Sequence, residues 1–183
     1  MMKRVIIVKN NSCENRIIKC NRCSISCNQK PLVDNMRKSD IMFLGISAKM
    51  KETEDEMPLS ENTNSGKLIK MIEERLLVEN NNISCYRSNM VKCVPLNEKG
   101  KIRYPNIWEI ENCIDNLVYE LSIVKPKVVV FLGRLVEKHL KKRIIELGYN
   151  TITIYHPSYI YVYRKKEIEK YVEESSKNIL KYV

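Results

Sequence analysis

Cys20-Asn21-Arg22-Cys23 sets two thiols three residues apart, and Cys93 and Cys113 follow with 19 residues between them. Four thiolates close a tetrahedral zinc site or hold a [4Fe–4S] cluster equally well by number, so ligand count alone does not choose the metal. Seven cysteines are an odd number, and the basic, β-branched start from Met1 to Lys9 is too short for a signal peptide. Both features argue against a disulfide framework and for a cytoplasmic chain in which thiols serve metal or cluster ligation or act as a catalytic thiol. Cys13, Cys27 and Cys85 read as small packing residues.

A second group of reactive types lies near expected strand ends. Asn89, in Ser88-Asn89-Met90-Val91-Lys92-Cys93, carries a carboxamide that donates and accepts together, as reading a pyrimidine edge requires. Its plainer use is to serve a turn. His156-Pro157-Ser158 follows the expected strand Thr151–Tyr155. There the imidazole is better situated for chemistry than His139, which reads as an exposed helix residue. From Ser158 to Lys166, Tyr159, Tyr161 and Tyr163 run into the cations Arg164, Lys165 and Lys166. This composition suits phosphate contact and wedging between bases, or else the solvated end of an amphipathic element.

These groups need elements to position them. Residues 1–38 read as an irregular polar arm. Asp40 to Gly45 reads as a buried strand ending at a glycine turn, and Ile46 to Ser65 as a long, acidic and functional loop. Helical spacing runs from Gly66 to Leu77, from Trp108 to Val124, from Arg134 to Leu147 and from Glu167 to Tyr182. Ile83 to Cys93 reads as a strand entering a loop, and Lys127 to Leu132 as a strand buried on both faces. This alternation predicts a three-layer α/β sandwich, with a central, mainly parallel, four-stranded sheet between helices. Segments beyond the carboxyl ends of such strands converge on one site: Gly45 onward, Asn89 onward, Gly133-Arg134 and His156-Pro157-Ser158.

The 183 residues suffice for one domain, read as 1–183 with 1–38 as its arm. Lys+Arg 32 against Asp+Glu 22 leaves a formal charge of +10, which favours a polyanionic partner over a membrane. No apolar run reaches bilayer-spanning length.

Over roughly residues 17 to 175 these segments resemble the iron–sulfur branch of the uracil-DNA glycosylases, the family 4 type. The resemblance rests on six motifs in order. They are Cys20 and Cys23; Gly45-Ile46-Ser47-Ala48-Lys49 followed by Glu54-Asp55 and Pro58-Leu59; Ser88-Asn89 through Lys92-Cys93; Pro105 and Glu109-Ile110 leading to Cys113; Lys125-Pro126-Lys127 through Gly133-Arg134; and His156-Pro157-Ser158-Tyr159. It implies a base-flipping hydrolase serving base excision repair, acting as a monomer on single-stranded DNA or on a duplex with a flipped base. It also implies a structural [4Fe–4S] cluster, rather than zinc, on Cys20, Cys23, Cys93 and Cys113. By the same resemblance Gly45, Ile46, Leu59 and Asn89 hold the base, and His156 steadies the charge on the departing base. Ser158, Tyr159, Arg164, Lys165 and Arg134 contact DNA.

The chain departs from the family pattern where chemistry is expected. Ile46 stands where the family has a glutamate that positions water, and Leu59 where it has a stacking phenylalanine. An apolar side chain cannot orient water, which leaves Ser47, or a loop carboxylate such as Glu52, for that task. A non-catalytic or base-switched member of the superfamily is the alternative. The extra residues from Glu98 to Arg103 are expected to bulge at the surface.

Overall fold

A computed structural model describes residues 16–183; Cys13 and the Met1–Lys9 segment lie outside the described residues. Four strands are linked by helices: β1 (Ile41–Ser47), α1 (Asn64–Glu79), β2 (Cys85–Val91), α2 (Ile107–Val124), β3 (Val128–Leu132), α3 (Arg134–Glu146), β4 (Asn150–Ile154), α4 (Pro157–Tyr163) and α5 (Ile168–Leu180). The sheet order is β2-β1-β3-β4, and every pairing is parallel. The expected three-layer sandwich is therefore the observed one.

Alternation along the strands builds both layers. Met42, Leu44, Val129 and Phe131 face one side, where they meet Leu117 and Leu121 of α2 and Leu140 of α3. Ile41, Phe43, Val128 and Val130 face the other, against Ile69 and Ile72 of α1 and Val172 of α5. All five residues of β3 are fully buried, as its unbroken β-branched run predicts. Each such side chain stabilises the fold by about 1.5–3 kcal/mol.

Local signals set the helix ends. Thr63 caps α1 by accepting from the Gly66 N–H at 2.9 Å. Asn106 and Glu109 form a reciprocal capping box at the start of α2, and Lys125, in a left-handed conformation, ends that helix before Pro126. At the amino ends of the strands Asp40 acts as a clamp. Its carboxylate accepts from the Ser84 N–H and hydroxyl at 2.9 and 2.8 Å and pairs with Lys127 at 2.9 Å, joining the entries to β1, β2 and β3.

Several expectations change. The strand does not stop at Gly45 but runs to Ser47, and Asn89 lies inside β2 rather than beyond it. The arm is not merely polar and irregular over its described residues: Ile17, Ile25 and Met36 join the core, and Ser24–Cys27 forms a short 3-10 helix. Cys27 is exposed rather than packed, and Cys85 is half-buried. His139 is likewise half-buried rather than exposed. Among the described residues no helix is long and apolar enough to cross a membrane.

Candidate active site

Gly45 and Asn89 are register partners on the neighbouring strands β1 and β2. Both open into a cavity of about 620 Å³ at the carboxyl end of the sheet, together with Ile46, Ser47, Leu59 and His156. Asn89 is 2% exposed, and its side chain faces the cavity. Below it lies a buried polar cluster. The Lys92 ammonium donates to Ser88 Oγ at 2.6 Å, to the Asn89 carbonyl at 2.7 Å and to the Glu120 carboxylate. Glu120 also accepts from Tyr86 Oη at 2.8 Å and from Ser88. With every member of the cluster buried, the backbone that aims Asn89 is held from beneath.

His156 reaches this cavity from β4, at the edge of the sheet, by passing over the end of β3. Gly133 makes that passage possible: it sits at φ +95°, and a Cβ there would stand 3.1 Å from His156 Cβ. The Ser158 N–H donates to His156 Nδ1 at 3.2 Å, and Ser158 Oγ lies 2.6 Å from the same nitrogen. Because Nδ1 accepts, the neutral ring carries its proton on Nε2. Burial pulls the His156 pKa below 6.5.

Leu59 occupies a left-handed conformation at φ 54°, a strained position for a γ-branched residue. Its carbonyl accepts from Arg87 Nη1 at 2.9 Å, and Arg87 is in turn forked onto Glu73 at 2.8 and 2.5 Å. That pair holds the loop so that Leu59 covers the cavity beside Gly45, where a Cβ would lie 3.1 Å from Leu59 Cδ2.

Several wall residues escape sequence reading. Lys49 lines the cavity and pairs with Glu52 and Glu56, each at 3.2 Å. Glu52 itself is largely exposed in that pair and does not line the cavity. The Glu98–Arg103 insertion does not simply bulge outward. Leu96 bridges Ile102 in antiparallel fashion, and this hairpin brings Ile102, Arg103 and Tyr104 to the wall. Arg103 is fixed there by two bonds to Glu109 at 2.8 and 2.6 Å. Its signal in the sequence was the turn composition Asn97-Glu98-Lys99-Gly100.

Not every expected residue meets in this cavity. Arg134 and Tyr159 line a second one, of about 760 Å³, which shares His156 as a wall. Ser158 acts on His156, while Arg164 and Lys165 stand exposed just past α4.

The four expected ligand thiols are electrostatic neighbours. Burial pushes the Cys93 thiol up to about 12, with Cys113, Cys23 and Cys20 adding to the rise. Burial likewise raises Cys113, and raises Cys23 with help from Cys113 and Cys20. Cys20 differs: burial opposes its ionisation, but the Arg22 N–H, the Asn116 amide and the Arg22 guanidinium together outweigh it and lower its pKa. The Lys92 N–H donates to Cys113 Sγ, and Arg22 Nε to Cys20 Sγ, both at 3.4 Å. Asn116 Nδ2, buried beside these sulfurs, lacks a partner at hydrogen-bonding distance. A cationic centre would relieve the mutual repulsion of these thiolates, and the N–H donors suit sulfur ligands, so the donor set fits a metal group. No three His, Cys, Asp or Glu side chains among the described residues are gathered closely enough to hold a single metal ion.

The parallel sheet thus brings a carboxamide and a buried histidine to one cavity at its carboxyl end. The profile of the uracil DNA glycosylase superfamily matches residues 33–179, and the chain belongs to that superfamily. By family it is a DNA glycosylase, with DNA as substrate. A type-4 uracil-DNA glycosylase of Sulfurisphaera tokodaii is 30% identical over 156 residues, covering 83% of this chain and 67% of the relative. One from Archaeoglobus fulgidus is 27% identical over 184 residues, covering 88% and 87%. The crystal structure of wild-type SMUG2 from Pedobacter heparinus shares the fold, with a TM-score of 0.56 at 17% identity and coverage of 77% and 74%.

Proposed function

We propose that the protein hydrolyses the N-glycosidic bond of uracil, or of a related deaminated or modified base, after the nucleotide flips out of the stack. The observation that carries this reading is the Asn89 carboxamide set in the same cavity as a buried His156, with Gly45 leaving room beside it. Asn89 pairs with the polar edge of the base, Gly45 lets the ring approach, and Ile46 and Leu59 cover its faces. As the C1′–N bond breaks, its electron pair leaves with the base, and His156 Nε2–H donates to the oxygen on which that charge collects. Ser47 holds the water that adds to C1′. Ser158 sets the tautomer of His156, while Tyr159, Arg134, Arg164 and Lys165 hold the strand.

Cys20, Cys23, Cys93 and Cys113 are proposed to hold a [4Fe–4S] cluster. When bound, the cluster cross-links the arm to the segment after β2 and to α2. Zinc would need four sulfurs within about 3.8 Å of one another, given Zn–S bonds near 2.3 Å. The resemblance to the iron–sulfur branch of the family is what favours the cluster over zinc.

The test is abasic-site formation on single-stranded and duplex oligonucleotides carrying uracil, hypoxanthine, xanthine or an oxidised pyrimidine. Asn89→Ala and His156→Ala should each lower turnover at least a hundredfold. Release from none of these substrates by the iron-loaded protein would leave a nucleic-acid binder without hydrolytic activity.

A base-switched enzyme is the second reading, favoured by the wall that Ile46, Leu59 and the 97–104 hairpin place around the pocket. Under that reading Ile46→Glu leaves uracil release unchanged. If only the missing carboxylate limits the rate, the same substitution raises it on the order of a hundredfold.

A further inference from the structure

Three tyrosines form a row that starts at the residue before His156. Tyr155 precedes α4, and Tyr159 and Tyr163 follow at four-residue spacing on one helical face. Ring centroids are 6.0 Å apart for Tyr155–Tyr159 and 5.4 Å apart for Tyr159–Tyr163. The three residues are 58, 44 and 74% exposed. Three large rings gathered on open surface mark a contact face.

Charge indicates what the face contacts. Arg134, on the wall of the second cavity, and Lys166 have no ion-pair partner among the described residues. Lys165 lies 5.8 Å from the Tyr161 ring centroid, and Arg164 pairs with Glu167 at 3.3 Å. Glu137 and Glu174 line the second cavity beneath the row and would repel a phosphate entering it. A polyanion with aromatic side groups satisfies both conditions, with its phosphates along the cations and its rings against the tyrosines. Ring spacing then separates single strand from duplex. Stacked duplex bases rise about 3.4 Å per step, whereas this row steps by 5.4–6.0 Å. It matches a stretched, unpaired strand whose base faces are free.

We propose that Tyr155, Tyr159 and Tyr163 are a stacking platform for unpaired bases of single-stranded DNA, flanking the nucleotide whose base enters the first cavity. This rests on the base-excision reading and adds the form of the substrate to it.

The experiment measures binding alone, so that it stands apart from catalysis. The anisotropy of a labelled oligothymidine of about twelve nucleotides, free of uracil, is compared with that of a duplex of equal length. Tyr163→Ala should weaken single-strand binding on the order of tenfold, with duplex binding changed less than about twofold. Tyr163→Phe should keep single-strand affinity, because the ring and not the hydroxyl does the stacking. The proposal is overturned if Tyr163→Ala leaves oligothymidine binding unchanged, if it weakens both forms alike, or if Tyr163→Phe is as harmful as Tyr163→Ala. Base release by the wild-type protein is scored separately. Release without a tyrosine effect sinks only the platform, and a tyrosine effect without release sinks only the base-excision reading.

Discussion

A Cβ on Gly45 would stand 2.5 Å from Asn89 Oδ1, closer than such atoms approach. The two residues face each other across β1 and β2, so the position of the carboxamide depends on a hydrogen at residue 45. Gly45→Ala is expected to rotate the Asn89 amide out of the base plane and to lower kcat/KM for base release at least tenfold. The same change should leave the melting temperature within a few degrees, since Gly45 needs no left-handed conformation. Unchanged kinetics in the alanine variant would show that Asn89 does not read the base.

His156 gives the protein an acid-sensitive component with a definite sign. An unfolded histidine takes up its proton near pH 6.5, and burial holds the folded one below that. The unfolded state therefore binds this proton first. The stabilisation is whole above about pH 6.5 and is lost as pH falls through the folded value. His156→Asn should flatten this part of the stability profile in urea titrations between neutral pH and pH 5. By the same shift, base release in the wild type should hold its rate to a pH below 6.5. A rate that halves at an ordinary histidine value would contradict the buried, neutral imidazole.

The cysteine group makes a prediction about composition. Protein purified without oxygen should be brown and carry iron and sulfide in about equal amounts, near four of each per chain. Cys93→Ser should abolish the colour, whereas Cys27→Ser should not, because Cys27 is exposed and outside the group. Zinc with no sulfide in the purified protein would replace the cluster assignment.

Lys92 and Glu120 are both fully buried and joined. Lys92→Met leaves a carboxylate without its counter-charge and is expected to cost about 3–5 kcal/mol. Adding Glu120→Gln should recover part of that loss, because a neutral amide oxygen still accepts from Tyr86 and Ser88. Denaturant midpoints of the two singles and the double form the test. Strictly additive costs would mean that the two side chains do not act as a pair.

The sheet was legible because its evidence is local. The β-branched run of β3 and the glycine that follows it announce a buried strand and a turn without reference to distant residues. The gathering of Gly45, Asn89 and His156 followed from strand order, which parallel topology constrains. What escaped depends on tertiary contact. The 97–104 hairpin is held by the single Leu96–Ile102 bridge and by turn hydrogen bonds around Asn97, a stretch too short to carry a periodicity. Lys49 and Arg103 look like ordinary surface cations until Glu56 and Glu109 draw them to the cavity wall. In the arm, apolar residues such as Ile17 and Ile25 are too sparse to signal burial, and only the docking of α2 and β2 encloses them.

The Asp40 clamp lies at the end of the sheet opposite the pocket. Strand alignment is thus settled far from the residues proposed to meet the base, and neither task constrains the other. Wall positions such as 46 and 59 are free to vary without slipping a strand. A lineage built this way can change the lesion it recognises by one replacement at a time while its scaffold stays intact.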